Sequence, residues 1–387
     1  MQRVVVVGGG LAGGRVCEAL RQQGFAGELT LVGDEDRPPY DRPPLSKAVL
    51  TGDLTDTTLP LQLPDVEILR PVRAERVDGS VLRTDAGDLP FDALVVATGA
   101  TPVRLPGEGT LLLRTIGDAL ALRARLRPGL RLVIVGAGWI GAEVATAAAT
   151  AGCQVTVVDE IPVPLGVALG PEVAAVLLPW WQQAGIRLEL GVAVQRADGD
   201  RVLLADGRLL RADLVLVAVG VRAATDWLIG SGVDLDRGVI TDERCRSVSR
   251  PDVLAVGDAA AWRSRRYGRL MRLHHWDDAL KAPDTIAAVL TGDRDAVHDP
   301  VPYVWSDQFG RTIQLVGQHD PTDRLIWRGE VRADDWTACW VDDRRRLRGL
   351  ATVGRPRDFV SGRRRIRTGE PCDLATLAAE QPSLQHA

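Results

Sequence analysis

The chain has 387 residues, 45% of them hydrophobic, and a formal net charge of -4. That length allows two or three globular domains, and the negative balance argues against a nucleic-acid binder. Five cysteines (17, 153, 245, 339 and 372) are scattered without a C-x-x-C pair, so local spacing offers no zinc, iron–sulfur or dithiol site and no metal is expected.

In chain order, Val4–Val7 reads as a buried strand, too short for a signal-peptide core, running into Gly8-Gly9-Gly10-Leu11-Ala12-Gly13. A helix-like stretch through Leu20 follows, then a strand over Leu29–Val32 ending at Gly33-Asp34-Glu35. "PPYDRPPLSK" at 38–47 holds four prolines, which donate no backbone hydrogen bond; it reads as a stiff arm delivering Lys47 to a defined place. Asp92–Gly99 is an apolar strand stopping at a glycine, and Leu105–Gly109 has linker composition. The pattern then repeats. Leu132–Val135 enters Gly136-Ala137-Gly138-Trp139-Ile140-Gly141, a helix follows, and a strand over Val155–Val158 ends at Asp159-Glu160. Asp213–Gly220 closes this second unit as Asp92–Gly99 closes the first, and Gly230–Gly238 is a second linker-like stretch. Beyond 301, the short alternating runs "TIQLVG", "TACWV" and "LRGLATV" predict antiparallel strands. The longest apolar run, Leu214–Val219, is far short of a membrane span, so a cytoplasmic protein without membrane attachment is expected.

Strand, G-x-G-x-x-G, helix, strand, acid is a dinucleotide-binding arrangement. The first glycine makes the tight turn, the second lets backbone approach a pyrophosphate, and the third lets helix and strand pack closely at the helix N-terminus. The terminal acid suits ribose hydroxyls. One such match is weak; two full copies in one chain predict two dinucleotides, naturally a flavin and a nicotinamide. Asp159, with no basic residue over 160–164, favours NADH over NADPH.

Further motifs extend the pattern: "YDRPPLSK" at 40–47, "VVATGATP" at 95–102, "LRTIGDA" at 113–119, "GAGWIGAEVA" at 136–145, "VLAVGDAAAW" at 253–262, "HHWDDA" at 274–279, "VPYVWSDQ" at 301–308 and "GRPRDF" at 354–359. With these, nearly end to end, the chain resembles the bacterial FAD-containing, NADH-dependent ferredoxin reductases of aromatic-ring dioxygenases and cytochrome monooxygenases. They belong with rubredoxin reductases and apoptosis-inducing factor among the glutathione-reductase-like flavoproteins. The resemblance implies an α/β fold of two Rossmann-like domains plus a C-terminal α+β interface domain. FAD would be bound by 1–106 and 236–300, NADH by 107–235, with the interface domain over 301–387. It implies hydride transfer from NADH to the flavin, then one-electron steps to a ferredoxin or rubredoxin, in a monomer or homodimer. A flavin oxidoreductase acting directly on a small molecule or on oxygen is the alternative on this scaffold.

By the same resemblance, Gly8, Gly10, Ala12 and Gly13 cradle the FAD pyrophosphate, Asp34 and Glu35 hold the adenosine ribose, and Asp258 holds the ribityl chain. Arg42, Ala74, Thr98, Gly99, Arg114, Trp276 and Trp305 are further flavin-side positions. Gly136, Gly138, Ile140, Gly141, Asp159 and Gly220 fall to the nicotinamide dinucleotide. Each of the acids has a plainer reading too: Asp34 and Glu35 as an acidic loop, Asp258 as a helix cap, Glu143 as a carboxylate complementing the helix dipole from the first turn. Lys47 and Glu143 are expected to pair at the flavin, where a cation would stabilise charge on the reduced ring. Disulfide reductases of this superfamily carry a cysteine pair at the corresponding helix, whereas no cysteine lies between 17 and 153 here. Departures are His274 for a usual glutamate, Asp278 for a usual asparagine, Gly166 and Val167 at a commonly basic position, and Pro283 within an expected helix. Arginines crowd residues 344–367 and 263–272, a docking surface for an acidic ferredoxin or simply a solvated face.

Overall fold

In the computed structural model, which describes residues 2–379, the chain divides into two compact units. One contains the chain up to Pro44, Leu54–Pro102 and Val221–Pro300; the other contains Leu45–Asp53, Val103–Gly220 and the chain from Val301 on.

The first unit is built on a parallel sheet in the order Val253–Ala255, Ala93–Val96, Arg3–Val7, Glu28–Val32 and Glu67–Leu69. Side chains alternate between its faces. Val4 and Val6 pack with the helices Leu11–Gln22 and Trp276–Thr291, while Val5 and Val7 pack with Leu82, Phe91 and Leu228 on the other side. Burial on both faces is why the first strand reads as an unbroken valine run rather than an alternating one. The Trp276–Thr291 helix continues through Pro283. Burial of Ala282 and Ile286 beside it outweighs the backbone bond that a proline forgoes.

The second unit carries a parallel sheet in the order Arg187–Leu190, Gln154–Asp159, Arg131–Val135 and Leu214–Val217. It also carries an antiparallel sheet in the order Tyr303–Gln308, Arg311–Gly317, Leu347–Val353, Asp335–Val341 and Arg324–Glu330. The three runs past 301 read as strands from the sequence lie in this sheet, and the helix Pro356–Thr368 packs on it through Gly362 and Ile366. Trp180, Trp336 and Trp340 join Leu169 and Leu177 in one core between the helices Gly166–Ala175 and Leu178–Gln183 and the antiparallel sheet. The Trp180 indole N–H donates to Asp334 at 2.7 Å, and Arg311 binds the same carboxylate while its guanidinium lies over the Trp180 ring. Two parallel sheets with covering helices and a C-terminal antiparallel sheet make up the α/β architecture read from the sequence. Among the described residues no helix is long and apolar enough to cross a membrane.

Trp336 is fully buried at the centre of the tryptophan core. Its replacement by alanine is expected to cost about 3–5 kcal/mol of unfolding free energy, read as a lower urea midpoint; an unchanged midpoint would show that this core does not support the second unit.

Candidate functional site

Both parallel sheets end their central strand in the same glycine geometry. A β carbon on Gly8 (φ +122°) would sit 2.1 Å from the carbonyl oxygen of Ala97, and one on Gly136 (φ +110°) would sit 2.3 Å from that of Ala218. Gly13 and Gly141 each rest against the carbonyl of the first glycine in their turn, with a β carbon there only 2.0 Å from it. Gly10 and Gly138 are the opposite case, with nothing within 4 Å. Each is the N-cap of a twelve-residue helix, Leu11–Gln22 or Trp139–Thr150, with no side-chain cap and no acid in the first turn. The initial N–H groups of both helices therefore have no side-chain cap and stand beside a bare glycine with open space around it, which fits a pyrophosphate at each.

The acids around the turns do more than the motif implies. Asp159 accepts backbone N–H groups from Ala137 at 2.6 Å and Ile161 at 2.9 Å, so it braces the second glycine turn from beneath. The Ala137 carbonyl is tied in turn to the N–H of Leu165, which takes a left-handed φ of 61° to reach it. Glu160 beside it is exposed. In the first unit Asp34 is exposed, whereas Glu35 binds Arg42 at 2.7 Å and accepts from the Tyr40 hydroxyl at 2.7 Å. Burial works against the Arg42 charge, but Tyr40, Glu35 and Asp258 outweigh it and hold the guanidinium above its usual range. Arg42 thus lies within the field of both Glu35 and Asp258. Trp276 donates its indole N–H to Asp41 at 2.7 Å, fixing the start of its helix to the proline arm.

Of the remaining positions, Thr98 donates to the carbonyl of Ala224 at 2.7 Å, and Gly99 and Gly220 both adopt positive φ. Ala74 begins a strand in a small antiparallel sheet and pairs with Thr84. The Arg114 N–H joins the cap of the helix Ile116–Arg123 by donating to Asp118. Ile140 is exposed beside the second glycine turn. Trp305 stacks on Tyr303 with ring centroids 5.7 Å apart.

Glu143 gathers the densest network. Its helix begins at Trp139, so it stands in the second turn rather than the first, and the dipole reading of the sequence does not hold. The residue is 3% exposed. Lys47 Nζ lies 2.8 Å from Oε2, which also accepts from the Ser46 hydroxyl; Ser306 donates to Oε1 at 2.5 Å and receives a 2.9 Å bond from Gln308. Three donors from two chain segments meet one carboxylate, the pattern of an ionised acid. Such a pair adds little stability over well-packed apolar residues, yet removing one partner costs about 3–5 kcal/mol. Glu143 stands on the helix that the second glycine turn opens. Ser46, Ser306 and Gln308 were not read from the sequence, although alternation along "WSDQ" puts Ser306 and Gln308 on one face and Trp305 on the other.

If Gly10 and Gly138 serve as bare surfaces for phosphates, an alanine at either is expected to leave the fold intact and act on binding alone. Gly10→Ala should release FAD and Gly138→Ala should raise KM for NADH, each with an unchanged thermal midpoint. Gly13→Ala, lacking room, should lower that midpoint; unchanged cofactor binding in the first two would overturn the assignment.

The comparisons with known proteins agree with this geometry. Residues 2–281 match the family model described as pyridine nucleotide-disulphide oxidoreductase, and 303–387 match the reductase C-terminal model. The ferredoxin reductase component of chlorobenzene dioxygenase from Cupriavidus sp. (strain PS12) is 34% identical, covering 97% of this chain and 95% of that protein. Among solved structures, Fdr9 is 46% identical with a TM-score of 0.93, covering 98% of each chain. Putidaredoxin reductase, in its covalent complex with putidaredoxin, is 31% identical with a TM-score of 0.91 over 98% of this chain and 96% of that one. With matches spanning both units and both glycine turns, the chain belongs to the pyridine nucleotide-disulphide oxidoreductase family, among its FAD-dependent ferredoxin reductases.

Proposed function

We propose that the chain passes electrons from NADH through FAD to a ferredoxin-type iron–sulfur protein that feeds an oxygenase. Bound FAD would supply the change from two-electron to one-electron chemistry. The observation that carries this reading is the Lys47–Glu143 pair at the end of the proline arm, in a chain with no cysteine between 17 and 153. An internal disulfide step has no thiols there, so electrons leave to a separate carrier. The whole-length likeness to a dioxygenase's reductase component supports the same conclusion.

In this reading residues 1–106 with 236–300 hold FAD, 107–235 hold NADH, and 301–387 form the interface domain of a cytoplasmic monomer or homodimer. Gly8, Gly10, Ala12, Gly13, Asp34, Thr98, Gly99 and Asp258 serve the flavin nucleotide, with Arg42 clamped by Glu35 as their support. Gly136, Gly138, Ile140, Gly141 and Gly220 serve the nicotinamide nucleotide, with Asp159 bracing their turn and Glu160 disfavouring a 2′-phosphate. Lys47, aimed by Glu143, supplies a fixed positive charge to the reaction; Ser46 and Ser306, the latter bound by Gln308, hold Glu143 in place. The carrier would be recognised by charge. Arg357 and Arg364 are exposed on the Pro356–Thr368 helix, whereas Arg346 and Arg355 are engaged by Asp342 and Asp358, and Arg265 and Arg272 by Glu243 and Asp236. The exposed set suits an acidic partner.

Cytochrome c reduction driven by NADH is expected to depend on added ferredoxin and to fall steeply with added salt, while reduction of a small dye is unaffected. Equal rates without ferredoxin would instead assign the chain to direct reduction of small molecules. In single turnovers, Glu143→Ala should slow flavin reduction by NADH at least about tenfold (about 1.4 kcal/mol of barrier); an undiminished rate would remove the Lys47–Glu143 pair from the mechanism.

A further inference from the structure

Asp278 and His298 are 3% and 4% exposed, and Nε2 of His298 lies 2.8 Å from Oδ1 of Asp278. The other carboxylate oxygen accepts the backbone N–H of Gly257 at 3.1 Å. Gly257 has φ +65°, and a β carbon there would lie 3.6 Å from Cβ of Ala12 and 3.5 Å from Cβ of Ala279. It opens the short turn Gly257–Ala259, whose next residue is Asp258. One carboxylate therefore grips the backbone immediately ahead of Asp258, where that backbone passes between the first glycine turn and the Trp276–Thr291 helix.

The surroundings favour a charge at this point and require a partner for it. Asp278 stands in the first turn of its helix, where the helix dipole stabilises a carboxylate. A carboxylate this deeply buried is costly unless paired and hydrogen-bonded. His298 meets that need from a fixed position. Its backbone N–H donates to the carbonyl of Glu243 at 2.7 Å, and its ring meets Trp262 edge-on with centroids 5.1 Å apart. Cys245 and His275 are titratable groups in the field of Asp278. Burial, then Asp278 and Asp242, push the Cys245 thiol well above its ordinary range. The His275 ring, partly open to solvent yet densely packed, is pushed by desolvation down to about 4 against the pull of Asp258 and Asp278. The side chain in direct contact with the carboxylate is His298. His298 also lies between the two family matches, beyond residue 281 and before 303.

We propose that Asp278 and His298 are a positioning pair for the flavin nucleotide. Together they set the Gly257–Asp258 turn, so retention of FAD depends on His298, a residue that need not touch the cofactor. This rests on the assignment of Asp258 to FAD, and the test separates the two. Holoenzyme is diluted and released FAD is followed by its fluorescence, with the visible circular dichroism of the bound flavin as a second readout. The apolar pair Asp278→Leu/His298→Leu removes both buried polar side chains together, so neither is left without its partner, but leaves the Gly257 N–H without its acceptor. It is expected to weaken FAD binding at least about tenfold (about 1.4 kcal/mol) and to alter the flavin dichroism. The amide pair Asp278→Asn/His298→Gln keeps an acceptor and a donor, and should stay within about threefold of the parent with an unchanged spectrum. FAD binding by the apolar pair within about threefold of the parent overturns the inference, as does loss of binding by the amide pair equal to that of the apolar pair. Asp258→Ala is the control: if it leaves FAD affinity unchanged, the assignment of Asp258 itself fails.

Discussion

The close approach of backbone at two glycine turns is the constraint on which both units depend. At Gly8 and Gly136 the end of one strand presses against the carbonyl that follows its neighbouring strand, and Gly13 and Gly141 bring the next helix down onto the same point. No side chain fits at any of the four. The same compression leaves Gly10 and Gly138 bare at the head of each helix, with no side-chain cap. Glycine-rich turns lose more conformational freedom on folding than other sequences. The flanking strands offset that loss by burying valine, leucine and isoleucine on both faces. Tight packing and ligand surface are two consequences of one geometry.

Buried charge is the second recurring theme, and its logic differs from that of the core. Glu143 and Asp278 are each almost wholly removed from water, and each is met by a basic partner and by hydrogen-bond donors. Apolar residues of similar size would hold those places equally well. What a carboxylate adds is direction. Glu143 fixes where the Lys47 ammonium stands, and Asp278 fixes where the Gly257 backbone stands. Glu143 stands on the helix that the second glycine turn opens, and Asp278 holds backbone that packs against Ala12 of the first, so a small displacement of either would reach a glycine turn.

The glycine turns, the strands that feed them and the C-terminal antiparallel strands were legible in the sequence because each is a local pattern of spacing and alternation. So was the likelihood of a Lys47–Glu143 pair, through resemblance. The partners that complete these sites were not legible. Ser46 and Ser306 reach Glu143 across sequence separations of 97 and 163 residues, and His298 reaches Asp278 through packing against Trp262 and Glu243. Nothing in the local pattern around Ser306 or His298 distinguishes them from a strand serine and a loop histidine. The tryptophan core that joins the Gly166–Ala175 helix to the antiparallel sheet was hidden for the same reason: tryptophan count says nothing of which tryptophans meet.

The terminal acids show how far a motif residue can be from its expected work. Asp159 ends one strand and Glu35 lies just past the equivalent one, and the motif and the resemblance give both to a ribose. In the folded chain Asp159 spends one oxygen on Ala137 and the other on Ile161, so its first duty is to hold the phosphate turn in shape. Glu35 spends both oxygens on Arg42 and Tyr40, and its first duty is to hold the arm. Each carboxylate oxygen has a second lone pair, so neither bond forbids a ribose hydroxyl. The order of effects nevertheless changes. Removing either acid would disturb the turn or the arm, whereas a methyl group at Gly10 or Gly138 would meet no protein atom within 4 Å. The bare glycines, rather than the acids, are therefore the motif positions at which a side chain can be added without disturbing the packing of this chain.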